Sequence, residues 1–417
     1  MRVSRRSAVA IAIFVLLGIG AAVGGWYESR RSAPGQPASS VVVNVTNGGD
    51  RGPGTLREAL FIVAAAERTA VISIQVPRIT LETALPPIVT SHGLSIVAQT
   101  TGAELDGRAL QGAAVLDIPG ANTSIEGLLI RNCMGAGILL RAVHFRLQST
   151  TIDSCDVGVE VAENASDVLL ERNRFSNNRV GVRFAASSRN TSLVKNEFLG
   201  NKDAGLWAVR SAPDSGGAAI SVRDNKFTEA RIGMILGNVS VLAERNEVIN
   251  AREAGIHLVG AGAVIRSNRV SGGPAMGIVA ENARAAIIDD NELDGLAAYG
   301  ILVRGSSNTL VRGNRVHNSG YGLAFVLGDQ QSPSTAVENT VIEPKFNGID
   351  VVGDSPILRR NRVLRPRALA LHVEDFQPPG GAKVIAKPFL DNNAFGSAAD
   401  ATAAMDKGTP RPAVSQQ

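Results

Sequence analysis

The chain has 417 residues, of which 44 are glycine, and only 4% are aromatic. This composition disfavours a globular core of bulky side chains and favours many tight turns between small or β-branched residues. The net charge is +4, but residues 1–31 contain five arginines and one glutamate, so the remaining chain is neutral. Because no basic field is left, the sequence argues against a nucleic-acid-binding protein.

Residues 8–25, "AVAIAIFVLLGIGAAVGG", form an uncharged apolar segment that follows three arginines. The segment is long enough to cross a bilayer as a helix, which predicts an export signal. The small residues Ala22 to Gly24 would suit cleavage, whereas Trp26 and Tyr27 resemble interface anchors. We favour an uncleaved anchor and expect a periplasmic or extracellular domain held at the inner membrane.

Residues 46–67, "TNGGDRGPGTLREALFIVAAAE", place a glycine-rich loop before an apolar helix. Such loops often bind phosphate, so Arg57 could be part of a site. The alternative is a capped structural helix, in which Thr55 is the N-cap and Glu58 completes a capping box. A stripe suited to packing on a neighbouring layer would then comprise Leu56, Leu60, Val63 and Ala64.

From about residue 122 the chain repeats a unit of roughly 20 to 25 residues, a period typical of solenoids. Each unit has an apolar strand that ends in Asn, an apolar residue two places later, and then Gly followed by an aliphatic residue. The repeated asparagines are Asn173, Asn196, Asn225, Asn246, Asn268, Asn291, Asn314, Asn339 and Asn361. We assign Asn132 and Cys155 to the same register upstream.

The second half of each unit alternates and is often β-branched, which favours another strand over the helical segment of a leucine-rich repeat. The fold class predicted is therefore all-β, a right-handed parallel β-helix of about 11 to 13 coils stacked at ~4.8 Å. An N-terminal helix would close the open end of this solenoid, so we interpret residues 46–67 as a lid.

The repeats, together with "PGTLREAL", resemble the pectate-lyase-like superfamily, in which a "PGTLR" segment precedes the first coils. This resemblance is specific for the fold and weak for activity. The expected organisation is a signal peptide or anchor at 1–31, a linker at 32–40, an N-terminal cap and first coils at 41–121, repeats and a closing segment at 122–396, and a disordered tail at 397–417.

Stacked coils turn each repeat position into a column. We expect the Asn column to be structural, with its amides bonding turn backbone and neighbouring coils. The inward stack should comprise Phe175, Phe198, Phe227, Val248, Val270, Leu293 and Val316. The residues after each Asn alternate in sign and should form a solvated wall of cross-strand ion pairs, namely Arg174, Glu197, Lys226, Glu247, Arg269, Glu292 and Arg315.

A different column follows each Gly-aliphatic pair and should also face outward. It places Glu160, Arg183 and Trp207 in consecutive coils, with His257 two coils further on. An exposed indole beside a charged pair suits stacking on a sugar ring with hydrogen bonds to its polar groups. The alternative is that Trp207 packs under the 210–218 insertion and that Glu160 only pairs with Arg183. Asp350 and His372 are also neighbours in this column.

A polysaccharide lyase or C5-epimerase must neutralise a uronate carboxylate and remove a proton with a base. The resemblance implies a calcium-binding coil at "NEFLGNKDAGLWAV", but Trp207 or Ala208 occupies the expected carboxylate position. Calcium is therefore not supported and no cofactor is expected. His144 and His317 stand alone in the sequence, so no zinc site is expected either. The candidate catalytic residues are His257, Arg183, Arg210 and Arg231.

The function favoured is a membrane-tethered β-helix protein that binds or guides a polysaccharide at the cell envelope. The alternatives are a lyase or C5-epimerase of an acidic polysaccharide, and an adhesin or scaffold with envelope protein partners. The sequence leaves open whether the protein is an enzyme. It also leaves open whether Cys133 and Cys155, which lie 22 residues apart, form a disulfide.

Overall fold

The computed structural model describes residues 40–396, except 91, 101, 164, 186–187, 211–218 and 274–275. The predicted export segment at 8–25 and the tail at 397–417 lie outside these residues. Within the described part, no helix is long and apolar enough to span a bilayer. The chain folds as an all-β parallel solenoid of about 13 turns, which confirms the predicted fold class.

Three parallel sheets form the walls of the described part of the chain. Most coils contribute one strand to each sheet in turn, whereas the first two coils and the last one lack a strand in the third sheet. The first sheet contains Val41–Val45, Ala70–Ile74, Leu94–Ala98, Thr123–Glu126, Val143–Gln148, Ser166–Glu171, Arg189–Val194, Ala219–Arg223, Ser240–Glu244, Ala263–Arg266, Ile287–Asp289, Leu310–Arg312, Thr335–Val337, Ile357–Arg359 and Phe389–Asp391. The second sheet contains Arg78–Thr80, Ala103–Asp106, Leu128–Arg131, Thr151–Asp153, Arg174–Ser176, Glu197–Leu199, Lys226–Thr228, Glu247–Ile249, Arg269–Ser271, Glu292–Asp294, Arg315–His317, Thr340–Ile342, Arg362–Leu364 and Ala394–Gly396. The third sheet contains Leu116–Ile118, Ala136–Leu140, Val157–Val161, Val180–Phe184, Ala204–Val209, Ile232–Gly237, Ala254–Ala261, Met276–Arg284, Tyr299–Arg304, Tyr321–Val326, Ile349–Val352 and Leu371–Glu374.

The core lies inside the three walls and is built from stacked columns. Phe175, Phe198 and Phe227 are buried, and their ring centroids are 5.0 and 4.4 Å apart. The predicted inward stack is therefore present. Outside the second sheet, the predicted charged wall is also present, with Arg174 hydrogen-bonded to Glu197 at 2.9 Å.

The asparagine ladder occupies the corner between the first and second sheets. Asn268 Oδ1 accepts hydrogen bonds from the backbone N–H and the side-chain amide of Asn246, both at 2.9 Å. The Asn268 amide in turn donates to the Ala243 carbonyl at 2.9 Å. The preceding residues, Arg245 and Ser267, have φ near 54° and 53°, so the chain turns sharply here. The buried amides supply partners that corner backbone groups would otherwise lack.

The upstream extension of this ladder was assigned wrongly. Thr150 donates its backbone N–H to Asn173 Oδ1, so Thr150 continues the column. Cys155 instead donates to Asn178 Oδ1, in the corner between the second and third sheets. Asn132 pairs with neither column, because its backbone N–H bonds the Asp153 carbonyl. Both corners contain asparagines about five residues apart, so periodicity alone could not distinguish them.

The N-terminal helix runs from Leu56 to Ala64 and contacts the first two strands of the first sheet. Thr55 Oγ1 accepts from the Glu58 backbone N–H at 3.3 Å, as predicted for the N-cap. The Glu58 carboxylate accepts from Gly54 N–H at 2.6 Å rather than from the N-cap residue. The buried residues are Leu56, Ala59, Leu60 and Val63.

Ala64 was predicted to lie in the buried stripe but is exposed. At 100° per residue it lies about 90° from the centre of the stripe, and Ala59 occupies the stripe instead.

Arg57 has a structural role. Its guanidinium donates to the Ala84 carbonyl at 2.7 Å, to the Thr83 carbonyl at 2.9 Å, and to Asp50 Oδ1 at 2.7 Å. These bonds fasten the helix to the loop at 83–84, and the donors are occupied by protein groups rather than facing an open phosphate pocket. The geometry supports the lid interpretation.

We predict that Asn268→Ala lowers the free energy of unfolding by about 2 kcal/mol, because it leaves buried backbone groups of Asn246 and Ala243 unpaired. Urea denaturation monitored by circular dichroism would measure this. Asn44→Ala is the matched control, since Asn44 is an exposed strand residue. Equal midpoints for the two variants would contradict the structural role of the ladder.

Candidate functional site

The predicted site column lies on the outward face of the third sheet. Glu160 pairs in register with Arg183, and Arg183 with Trp207. Ile235 separates Trp207 from His257. The order of the column is therefore as the repeat indicated.

Glycine residues near the start of the third-sheet strands determine which side chains form this outward column. A Cβ on Gly181 would lie 2.5 Å from the Gly205 carbonyl oxygen and 2.7 Å from Cδ1 of Phe198. Only glycine therefore lets the chain approach the stacked phenylalanines closely in the strands that contain Gly158, Gly181 and Gly205. The Gly-aliphatic motif marks this close packing in the sequence. The residue that follows the motif faces outward and belongs to the site column.

A cavity of about 300 Å³ opens at the N-terminal part of this face. Arg183 Nη2 donates to Glu160 Oε2 at 2.9 Å across one of its walls, and both side chains are partly exposed. The remaining lining comprises Gly112, Ala114, Met134, Gly135, Ala136, Leu139, Asp156 and Val157. A cavity with a polar wall and an apolar wall can hold a small amphipathic group.

Alternating charges form the rim of this face, before the third-sheet strands. Arg179 donates to both Asp156 carboxylate oxygens at 2.6 and 3.0 Å, and to Asp203 at 3.2 Å. These hydrogen bonds hold the pKa of Asp156 below its ordinary value and raise the pKa of Arg179. Arg231 belongs to this rim, where it pairs with Glu253, and not to the site column. Sequence reasoning missed the rim, although its alternating sign was visible.

The two cysteines form a disulfide next to the cavity, with their Cα atoms 4.2 Å apart. The predicted register, which aligned Cys155 with Asn132, would offset Cys133 from Cys155 by one residue, but the structure shows no such offset. The Asp156 N–H bonds the Cys133 carbonyl, and the Arg179 N–H bonds the Cys155 carbonyl, so both cysteines occupy the same corner column. The disulfide therefore links the two coils that carry Gly135 and Asp156 of the cavity wall.

The middle of the column is not an open polar groove. Ile235 is 7% exposed, Leu302 2% and Ala324 0%, although all three face outward. They belong to an outer apolar cluster of Ala204, Ile232, Ile235, Ala254, Val279, Leu302 and Ala324. Larger side chains that pack against this cluster cover it, namely Trp207, Val209, Met276, Tyr299 and Val326. Trp207 is thus half-buried rather than fully exposed.

The candidate catalytic residues do not converge. His257 Nε2 lies 3.3 Å from Glu281 Oε2, and the other Glu281 oxygen is 3.3 Å from Arg304. Three strand steps, or about 14 Å, separate His257 from Arg183 along the sheet. The structure therefore forms a His–Glu–Arg chain at one place and a Glu–Arg pair at another.

Arg210 lies at the end of its strand, away from the rim that carries Arg231. Its backbone N–H donates to the Gly237 carbonyl at 3.0 Å, and its carbonyl accepts from the Asn238 amide at 3.0 Å. The insertion that was expected to cover Trp207 falls at 211–218, outside the described residues.

The histidines that stand alone in the sequence have carboxylate neighbours in the fold. His317 Nδ1 lies 2.7 Å from Asp294, and its Nε2 lies 3.4 Å from Glu343. His144 Nε2 lies 3.4 Å from Asp167. These residues are one coil or more apart in sequence, so only stacking brings them together. The described residues nevertheless contain no group of three or more ligands arranged for a metal ion.

We predict that replacing both cysteines by serine lowers the free energy of unfolding by about 3 kcal/mol, as expected for a loop of this length. Urea denaturation would measure the loss. Wild-type protein treated with dithiothreitol should unfold like the variant. Identical urea midpoints for the variant and the oxidised wild type would show that the disulfide does not stabilise these coils.

Comparisons with known proteins agree with this architecture. The model of the family described as "Right handed beta helix region" matches residues 90–215 and 212–363. Among solved structures, the catalytic unit of a GH87 α-1,3-glucanase from Streptomyces thermodiastaticus has a TM-score of 0.54 and 14% identity, covering 87% of this chain and 70% of that one. No curated protein sequence matches significantly.

Two further solved structures are similar. A family 28 exopolygalacturonase from Yersinia enterocolitica has a TM-score of 0.52 and 11% identity, covering 86% of this chain and 79% of that one. The A-module of a mannuronan C-5 epimerase from Azotobacter vinelandii has a TM-score of 0.51 and 15% identity, covering 81% and 99%. At such identities these similarities establish the fold alone. The chain belongs to the right-handed β-helix family.

Proposed function

We propose that this protein binds a polysaccharide along the outward face of the third sheet. The observation that carries the proposal is the cavity at Glu160 and Arg183, which opens on the same column as Trp207. The indole offers a partly accessible apolar surface, and the charged pair offers hydrogen-bonding groups one strand away.

The shape of the face also suits a polymer. Within the described residues, the third sheet has twelve parallel strands, which at a spacing of ~4.8 Å give a wall roughly 50 Å long with one repeating geometry. The structurally similar enzymes are named for a glucan, a polygalacturonate and a mannuronan. That similarity supports a carbohydrate ligand by analogy of fold only.

The charges favour binding over uronate chemistry. Arg183 is already hydrogen-bonded to Glu160, and the rim pairs Arg179 with Asp156 and Asp203. A lyase or epimerase needs cationic groups that are free to neutralise a substrate carboxylate. Neutralised arginines instead suit hydrogen bonding to hydroxyl groups.

The export and tethering of the protein are part of this proposal. The apolar segment at 8–25 supports a membrane anchor. The disulfide between Cys133 and Cys155 is consistent with an oxidising compartment, where such bonds persist. The binding face would then lie at the cell envelope, where polysaccharides are found.

We predict that Arg183→Gln and Trp207→Ala each weaken polysaccharide binding by about tenfold, because each removes a hydrogen-bonding or stacking group. Affinity electrophoresis in gels containing alginate, polygalacturonate or a soluble glucan would measure this. Arg174→Gln is the matched control, since Arg174 makes an equivalent 2.9 Å pair with Glu197 on the second sheet. Melting temperatures would show whether each variant is folded.

Retention that is unchanged in both variants would refute the site. The same polysaccharides would be incubated with the protein and monitored for the ultraviolet absorbance of unsaturated uronates. Steady formation of this product would favour the lyase alternative over a binding protein.

We further predict that the full chain is recovered in the membrane fraction after carbonate washing, with both cysteines unreactive towards a thiol reagent. Deletion of residues 1–31 should leave the protein in the cytoplasm with reactive thiols, since it removes the apolar segment. Recovery of the full chain as a reduced cytoplasmic protein would contradict the proposed export.

A further inference from the structure

Three aromatic rings form a row outside the C-terminal part of the third sheet, in which Tyr299 and Tyr321 are stacked and Phe346 is tilted by 32° against Tyr321. The ring centroids of Tyr299 and Tyr321 are 4.8 Å apart, and those of Tyr321 and Phe346 are 5.1 Å apart. The stack ends at Phe346, beyond which the described residues provide no further stacked ring. Phe346 is 50% exposed, so one side of the ring is available to a ligand.

A polar cluster adjoins the last ring. Asp350 Oδ1 accepts from the Asn347 amide at 2.9 Å and lies 2.7 Å from His372 Nδ1. Asp350 is only 7% exposed, so its carboxylate is held in place within the fold. A carboxylate only accepts hydrogen bonds, so Nδ1 is the donor to Asp350, and Nε2 is the other hydrogen-bonding atom of the imidazole. Nε2 makes no hydrogen bond to the described part of the chain.

The surroundings disfavour a protein partner. The apolar floor beside the stack is already covered, since Leu302 is 2% and Ala324 0% exposed. Little apolar area is therefore left for a protein interface, which needs a buried apolar centre. The accessible groups are one face of the Phe346 ring and a few polar side-chain atoms. Such a surface suits a sugar ring, which has an apolar face and hydroxyl groups.

The charges disfavour an acidic sugar. The Asp350 carboxylate lies in the cluster, and Glu374 is exposed one coil beyond Val352. Burial, Tyr321 and Asp350 raise the pKa of Tyr299, so its phenol stays protonated and can hydrogen-bond. Asp350 and Glu374 would repel a uronate carboxylate, whereas sugar hydroxyl groups could hydrogen-bond to His372 Nε2.

We propose that Phe346, Asn347, Asp350 and His372 form a binding subsite for a neutral pyranose unit. This inference rests on the proposed polysaccharide-binding function and assigns a second anchor to the same face. Eight strand steps, or about 38 Å, separate Asp350 from Glu160 in the column. A long polysaccharide could reach both anchors, whereas a monosaccharide occupies one.

Saturation-transfer difference NMR with methyl β-D-glucopyranoside tests the subsite, with methyl α-D-galactopyranosiduronate as the acidic probe. The glucoside should receive saturation from the wild-type protein, and the uronate should receive less. Phe346→Ala and His372→Gln should each reduce the glucoside signal about fivefold, because each removes one of its contacts. Phe389→Ala is the matched control, since Phe389 is 54% exposed but lies on the first sheet.

The outcomes separate this inference from the proposed function. Trp207→Ala should weaken polysaccharide retention while it leaves most of the glucoside signal intact. An unchanged signal in folded Phe346→Ala, a stronger signal from the uronate, or no wild-type signal would each overturn the subsite. If the subsite fails in this way while Trp207-dependent retention persists, the proposed function stands alone. If retention fails but the Phe346-dependent signal persists, the sugar subsite stands alone.

Discussion

The structure depends on the hydrogen-bonded register between successive coils. Each strand pairs in parallel with the equivalent strands of the neighbouring coils. Residues at equivalent positions of successive coils are therefore stacked and have similar surroundings. The buried corner amides extend this pairing through turns whose residues adopt left-handed conformations. In such a solenoid the stability of each coil depends on its contacts with the neighbouring coils.

This constraint explains where chemistry is found. Similar residues stack into columns. We therefore look for functional groups at positions where the residue type in a column changes from apolar to polar. On the third sheet the outward column is apolar at its middle, around Leu302, and polar towards both ends. The Glu160–Arg183 pair lies at one end and the Asp350–His372 pair at the other. His257 interrupts the outer apolar cluster, and the other two polar pairs of the column lie where the cluster stops.

The errors of sequence interpretation have a common cause. A repeat shows which residues are equivalent, but neighbouring corners carry similar residues, so Cys155 was assigned to the wrong corner. Once the corner is correct, Cys133 and Cys155 occupy one column and can pair. Similarly, alternation placed Ile235 on the outward face correctly but could not show that larger neighbours bury it. Outward orientation and exposure are different properties.

The solenoid, the asparagine ladder, the inward phenylalanine stack and the order of the site column could all be predicted from the amino-acid sequence. These features follow from the alternation of apolar and polar residues along each strand and from the period of the repeat, both of which can be read directly from the sequence. Three other features became apparent only in the folded chain: His257 lies apart from Arg183, His317 lies near two carboxylates, and Phe346 ends a row of aromatic rings beside His372. Such contacts depend on the lengths of turns between coils, and small differences in those lengths set which side chains meet.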